Sequence, residues 1–191
     1  LTLSAIWGSS FIAIKISVDN TNPVTVASLR LVIAAIFLYS YFKLTNYKSK
    51  LQTKTLILIF FIGLIGNFIP FFLISWSEQY IQSNTAGLLL SVAPIFALIF
   101  SHFLTKDDRF SFRKFISIVI GLIGVLFIID FDTLTNISSQ NSGNIVPKIA
   151  VIIAALGYVI SSILAYNLKN VNTIELATFV TINAAIISLP F

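Results

Sequence analysis

Cysteine is absent from the 191 residues, and histidine occurs once. Disulfides, thiolate nucleophiles, Cys-ligated metals and His clusters are thereby excluded from the sequence. Methionine is absent as well. The apolar pattern is already running at Leu1 and still running at Phe191, so a fragment cut at both ends is expected. Charge is scarce: Asp, Glu, Lys and Arg make up 10% of the chain, where a soluble domain carries roughly 25%. That scarcity argues against a water-soluble globule.

What is present is hydrophobic side chain, 57% of residues, with a mean hydropathy of +0.97. It gathers into blocks over 1–18, 24–44, 55–76, 86–104, 115–131, 145–168 and 174–191. Blocks of about 20 apolar residues match a hydrocarbon core of about 30 Å. Backbone amides cannot stay unpaired in lipid, and the period-2 alternation of a barrel strand is missing, so the blocks must be helices. The expected fold class is all-α: a polytopic helical bundle, multi-pass in a cell membrane of the bacterial inner-membrane type.

Twelve basic residues against seven acidic ones give a net charge of +5, which in a soluble protein would raise the question of nucleic acid. Here the positive-inside rule accounts for it. Lys43, Lys48, Lys50 and Lys54 fall at the second linker, Lys106, Arg109, Arg113 and Lys114 at the fourth, and Lys169 at the sixth. The odd-numbered linkers hold Asp19, Glu78, Asp130 and Asp132 but only Lys148. Even-numbered linkers are therefore expected in the cytoplasm, and nucleic acid is not an expected partner.

Shifting the chain by 150 residues aligns 1–41 with 151–191 and pairs seven identical residues, among them Asn20 with Asn170 and Asn22 with Asn172. Asp19 meanwhile corresponds to Lys169, an outer acid to an inner base. Five helices separate the copies, and an odd number inverts the second in the membrane. Inverted repeats are a common transporter architecture, with the site at midplane between them; chance similarity between apolar helices is the alternative. The expected organisation is a first five-helix repeat over 1–131, an outer linker over 132–144 reading DTLTNISSQNSGN, and the start of a second repeat over 145–191.

The run AIWGSSFIAIKI, followed by NPVTVASLRLVIAAIFL, resembles the opening of EamA-type members of the drug/metabolite transporter superfamily. The stretch from Ser77 to Ile128 is similar to that family's third outer turn, its fourth helix with a central proline at Pro94, and its Gly-x-x-Gly fifth helix. The resemblance implies ten helices in two inverted repeats and metabolite permease or exporter activity. This chain would then hold seven of the ten. The inner turn KDDRFS departs from the Gly-Glu pair often found in the family.

Two charges lie inside apolar blocks, Lys15 and Arg30. Lys15 is four residues from Asp19, a spacing that permits an ordinary ion pair at a helix end. Arg30 is seven residues beyond Pro23, roughly 10 Å into its helix, where a charge is costly unless it faces the bundle interior or water. Together they would favour a substrate carboxylate or phosphate, although Glu78 could equally neutralise them. Small or polar stripes at helical spacing run through Ser4, Gly8, Phe11 and Lys15; Ala27, Arg30 and Ala34; Gly63, Asn67 and Pro70; and Gly87, Ser91, Pro94 and Ser101. Each stripe is either a packing face or a cavity lining.

Pro70 and Pro94 each remove a backbone hydrogen bond within a helix, leaving either a static kink or a carbonyl open to water or substrate. Trp76 and Tyr80 suit interfacial anchors, and Tyr158 is a further candidate; Trp7 lies deeper and suits a cavity. His102 has no intramembrane acid near it in sequence. The expected substrate-binding set is Trp7, Lys15, Arg30, Asn67, Ser91 and Pro94. No catalytic residue, metal or cofactor is expected, since no Walker loop, zinc motif or nucleophile elbow occurs. The leading expectation is a secondary transporter of small polar metabolites such as amino acids, with that substrate and the bilayer as partners and a homo-oligomer left open. The alternative is a membrane-embedded enzyme or scaffold acting on lipid-linked substrates.

Overall fold

The computed structural model describes residues 2–45, 51–105, 110–128 and 145–189. The expected linker 132–144 lies outside the described residues, as do Lys48, Lys50, Lys106, Arg109, Asp130 and Asp132. Seven helical rods are seen among the described residues: α1 (Thr2–Val18), α2 (Pro23–Leu44), α3 (Thr53–Ser77), α4 (Ser83–Leu104), α5 (Phe112–Ile128), α6 (Ile145–Tyr166) and α7 (Thr173–Ser188). They contain no strand. By length and composition α2, α3, α4 and α6 can each cross a membrane; α1, α5 and α7 have 17, 17 and 16 residues. The protein is an all-α, polytopic membrane protein.

The rods begin where side chains can satisfy the first backbone N–H groups. Asn22 precedes α2 with φ −60° and ψ 134°, and its side chain accepts from the Val24 N–H. Asn172 precedes α7 with φ −59° and ψ 133° and accepts from Ile174 and Glu175. Pro23 follows Asn22 at the first helical position, where its missing N–H loses no bond.

Two rods are irregular. In α3 the turn Leu64–Phe68 is a π-helix, with the Ile69 N–H bonded to the Leu64 carbonyl. Pro70 lies just beyond it, and a proline ring clashes with the carbonyl four residues earlier, here Gly66. Widening the turn before Pro70 accommodates the ring without ending the helix. In α4 the helix is interrupted between Ser83–Leu90 and Ala93–Leu104, immediately before Pro94.

Packing is tightest among α2, α3, α6 and α7. α2 and α7 run antiparallel: Ser28 Oγ donates to the Ser188 carbonyl at 3.0 Å, and Thr178 Oγ1 to the Leu38 carbonyl at 3.4 Å. Leu31, Ala184 and Ala185 fill the seam. α3 and α6 are also antiparallel, tied at one end by Ser77 Oγ donating to the Pro147 carbonyl at 2.9 Å. Small residues let them close up: a Cβ on Gly157 would stand 2.6 Å from the Ile65 carbonyl oxygen, and one on Gly63 2.7 Å from that of Val180. Membrane helices lack a hydrophobic drive toward each other, so such close contact is what holds them.

The bundle has two chemically distinct ends. Asp19 and Glu78 lie at the acidic end, where α1 and α3 finish and α2, α4 and α6 start. Lys43, Arg113, Lys114 and Lys169 lie at the basic end.

Candidate functional site

A cavity of about 1530 Å³ opens between α1, α2, α3, α4, α5 and α6. It reaches from Ile14 and Ile74 near the acidic end down to Arg113, Lys114 and Tyr166 at the basic end. The acidic end above it is filled. Ile14, Val18, Val26, Ile74 and Ala154 form one buried cluster there, and Ile81, Ala86 and Val151 another. Ser83 Oγ donates to the Phe11 carbonyl at 3.3 Å, joining α4 to α1.

Of the residues expected to bind substrate, Trp7, Arg30, Asn67, Ser91 and Pro94 line the cavity. Arg30 is the charge that α2 contributes to the wall. Its Nη2 donates to Ser10 Oγ at 3.1 Å, and its guanidinium carbon lies 4.4 Å from the centre of the Phe71 ring. The aromatic face and the serine hold the planar group without neutralising it. Asn67 belongs to the π turn of α3 and lines the cavity. Ser91 and Pro94 bracket the interruption in α4, with Ser91 Oγ donating to the Leu88 carbonyl at 2.6 Å. Trp7 is 68% exposed on the α1 wall.

Lys15 is not among the lining residues. Its Nζ donates to the main-chain carbonyl of Glu78 at 2.6 Å and stands 3.7 Å from Asp19 Oδ1. The structure therefore does not bring the two intramembrane cations to one wall: Arg30 faces the cavity and Lys15 ties α1 to the turn after α3. The expected stripes are displaced in the same way. α1 presents Trp7, Ser10, Phe11 and Ile14 to the cavity, and α3 presents Gly66, Asn67, Phe71 and Ile74, while Gly63 packs on α7 and Pro70 is fully buried. The α4 stripe of Gly87, Ser91, Pro94 and Ser101 lines it throughout.

Sequence reasoning missed Ser10, Phe71 and Tyr158 as wall residues. Ser10 and Tyr158 carried a signal, since Ser10 lies one turn past Trp7 and Tyr158 is a polar aromatic in the middle of its apolar block. Phe71 is one of eighteen phenylalanines, and nothing in the pattern marked it. The rings of Trp76 and Tyr80 lie tilted against each other at the acidic end, their centroids 5.2 Å apart. His102 is exposed near the basic end, where its Nδ1 accepts from the Phe110 N–H at 3.2 Å.

Glu78 is the buried acid of this region. It follows the last residue of α3, in the turn to α4, and has no exposed surface. Both carboxylate oxygens are buried and have no hydrogen-bond partner among the described residues. Burial pushes its carboxyl up to about 8, against the opposing pull of Lys15 and then Arg30.

The amino-acid sequence is similar to those of known transporters. The profile of the EamA-like transporter family matches residues 1–130. An uncharacterized transporter of Archaeoglobus fulgidus is 33% identical over 122 residues, covering 64% of this chain and 43% of its own length. The uncharacterized transporter YoaV of Bacillus subtilis is 24% identical over 192 residues, covering 100% of this chain and 64% of its own. The uncharacterized inner membrane transporter YedA of Escherichia coli is 26% identical over 162 residues, covering 84% and 50%. The chain thus spans about half the length of the curated relatives it matches. No solved structure matches.

Proposed function

The chain belongs to the EamA-like transporter family, and from that premise we propose that it supplies the substrate cavity of a secondary transporter for small polar metabolites that carry an anionic group, such as amino acids. The observation that carries this reading is Arg30 in the wall of the cavity, set on Phe71 and Ser10 with Asn67 and Tyr158 lining the same space. A guanidinium has five N–H donors in a planar fork suited to a carboxylate or phosphate. Among the described residues it makes one hydrogen bond, to Ser10. Asn67 and the serine hydroxyls add neutral donors and acceptors, and Trp7, Phe71 and Tyr158 add apolar area. That mixture suits a substrate with one charged end and a less polar body.

The cavity reaches the basic end, which the excess of Lys and Arg assigns to the cytoplasm, and the acidic end is filled. This is the inward-facing arrangement of an alternating-access cycle. Matching Asn caps 150 residues apart support the inverted-repeat reading of 1–131 and 145–191, since each starts the second helix of its half with the same backbone angles.

The test is Arg30→Gln in the full-length protein, reconstituted in proteoliposomes and screened with a panel of amino acids and other small anions. A hydrogen-bonded charged pair contributes about 1.5–3 kcal/mol, so apparent affinity should fall about 10- to 100-fold while insertion stays normal. Arg30→Lys should recover only part of it. Unchanged rate and affinity in Arg30→Gln would remove Arg30 from the binding site.

A further inference from the structure

We propose that Glu78 is a proton-binding latch: the acidic end closes only with the Glu78 carboxyl protonated, so each opening of that end releases a proton and each closure takes one up. The geometry at the turn carries the inference. Glu78 has no exposed surface, and among the described residues neither carboxylate oxygen has a donor. A buried carboxylate with no donor is strongly disfavoured, whereas the neutral acid fits an apolar surrounding. The neighbouring residues Ile74 and Ile81 are both buried, and Ser77 spends its hydroxyl on the Leu73 and Pro147 carbonyls at 2.6 and 2.9 Å.

Among the described residues, no side chain on the packed elements donates a hydrogen bond to that carboxyl. From α1, Lys15 binds the main-chain carbonyl of Glu78 and pairs with Asp19 rather than with the side chain. From α2, Arg30 is held by Ser10 and Phe71. α6 carries Lys148, next to the Pro147 that receives Ser77, and Tyr158, which lines the cavity. Tyr80 shares the turn, and the first segment of α4, Ser83–Leu90, has no titratable side chain. Lys15 therefore secures the backbone of the turn, and the acid beside it feels the pull of Lys15 and Arg30 through space but has no hydrogen-bond donor among the described residues. The latch is also wired to the cavity, because the Glu78 N–H bonds at 2.9 Å to the carbonyl of Ile74, a lining residue.

Opening the acidic end would admit water to Glu78 and return its carboxyl to the ordinary range near 4.5, from about 8 in the closed form. Between those values closure binds one more proton than opening, so the open fraction grows about tenfold per pH unit. The inference uses the transporter reading only for the existence of an open state, and its test needs no substrate.

Ala86, fully buried under this end, is replaced by Cys in the full-length protein with any other cysteines removed, and its labelling by a membrane-impermeant maleimide is followed from pH 6 to pH 8. The exposed Asn20→Cys variant corrects for thiol reactivity. Corrected labelling at position 86 should rise close to tenfold per unit, and Glu78→Gln, a permanently neutral isostere, should label slowly with no pH dependence. A corrected rate that is flat in the parent, or a slope that survives Glu78→Gln, overturns the latch. Should Ala86→Cys fail to fold, Thr85→Cys on the same buried face serves as the probe. Failure of the Arg30 flux assay would leave this result standing, and the reverse also holds.

Discussion

Helices α1 and α6, which the proposed inverted repeat pairs at an offset of 150 residues, meet their surroundings differently. α6 buries Ala150, Val151, Ala154, Ala155, Gly157, Val159 and Ser161 along one side. α1 buries Ile14 and Val18 near its end and leaves Ile6, Trp7, Ile12 and Ile16 exposed. Both are apolar, so hydropathy does not separate them. Side-chain size does: α6 offers alanines and a glycine that admit the α3 backbone, whereas Gly8 of α1 has nothing within 4 Å of where a Cβ would stand. Apolarity puts a helix into the bilayer, and small residues decide which neighbour it can touch. The second helices differ in a parallel way, since Arg30 of α2 faces the cavity while Val180 of α7, its counterpart at the same offset, packs with Ile59 and Ile62.

The contrast between α1 and α6 is most directly broken at their glycines. Gly157→Val drives a side chain into the Ile65 carbonyl and the Pro70 ring, and overpacking of this kind costs about 1–3 kcal/mol or more. The full-length variant should lose monodisperse protein or melt well below the parent. Gly8→Val should be close to neutral, and equal damage from both would show that α1 is packed as tightly as α6.

A smaller effect is expected at the acidic end, which α1 and α6 share. Folded Glu78 keeps its proton to about pH 8, whereas the unfolded chain releases it near 4.5. The folded protein therefore binds more protons in this window, and stability falls as pH rises through it. The melting temperature of the parent should drop from pH 6 to pH 8, and Glu78→Gln should flatten that slope. A slope of the opposite sign in the parent would mean that the carboxylate is paired in the folded state.

The smallest effect compares the caps. Removing an Asn cap costs about 1 kcal/mol, and Asn172 accepts from two N–H groups where Asn22 accepts from one. Asn172→Ala should lower the melting temperature more than Asn22→Ala. The reverse order would assign the stability of α7 to its seam with α2 alone.

The helix boundaries were legible because long apolar runs bounded by Asn, Asp and Lys leave little freedom: α2 and α7 each start within one residue of their expected blocks. The fifth block began three residues late, because Phe112, Arg113 and Lys114 already belong to α5. Which face meets which partner was not legible. A single chain shows stripes, but the pairing of α2 with α7 and of α3 with α6 arises from contacts 70 or more residues apart, such as Ser28 with Ser188. The α3 stripe was read with α-helical spacing, and the π turn shifted it. Pro70 and the glycine four residues before it, Gly66, were the available clue. Arg30 was legible as a cost demanding an explanation, and its placement beside Phe71 was not.

The wide turn of α3 has a further consequence, best expressed as phase. A π turn holds one residue more than the α-helix would, so the segment beyond it is rotated by about 100° from where an unbroken helix would point it. That offset lets a single rod present Gly63 to α7, Gly66 to Ser161 of α6, and Asn67 and Phe71 to the cavity. Removing one residue between Leu64 and Phe68 would restore a regular helix and put its two halves out of step, forcing either Ile59 and Ile62 or Ile74 and Ser77 away from their partners. α3 therefore tolerates substitution by size but not a change of length, since its register aligns the two packed seams with the cavity wall.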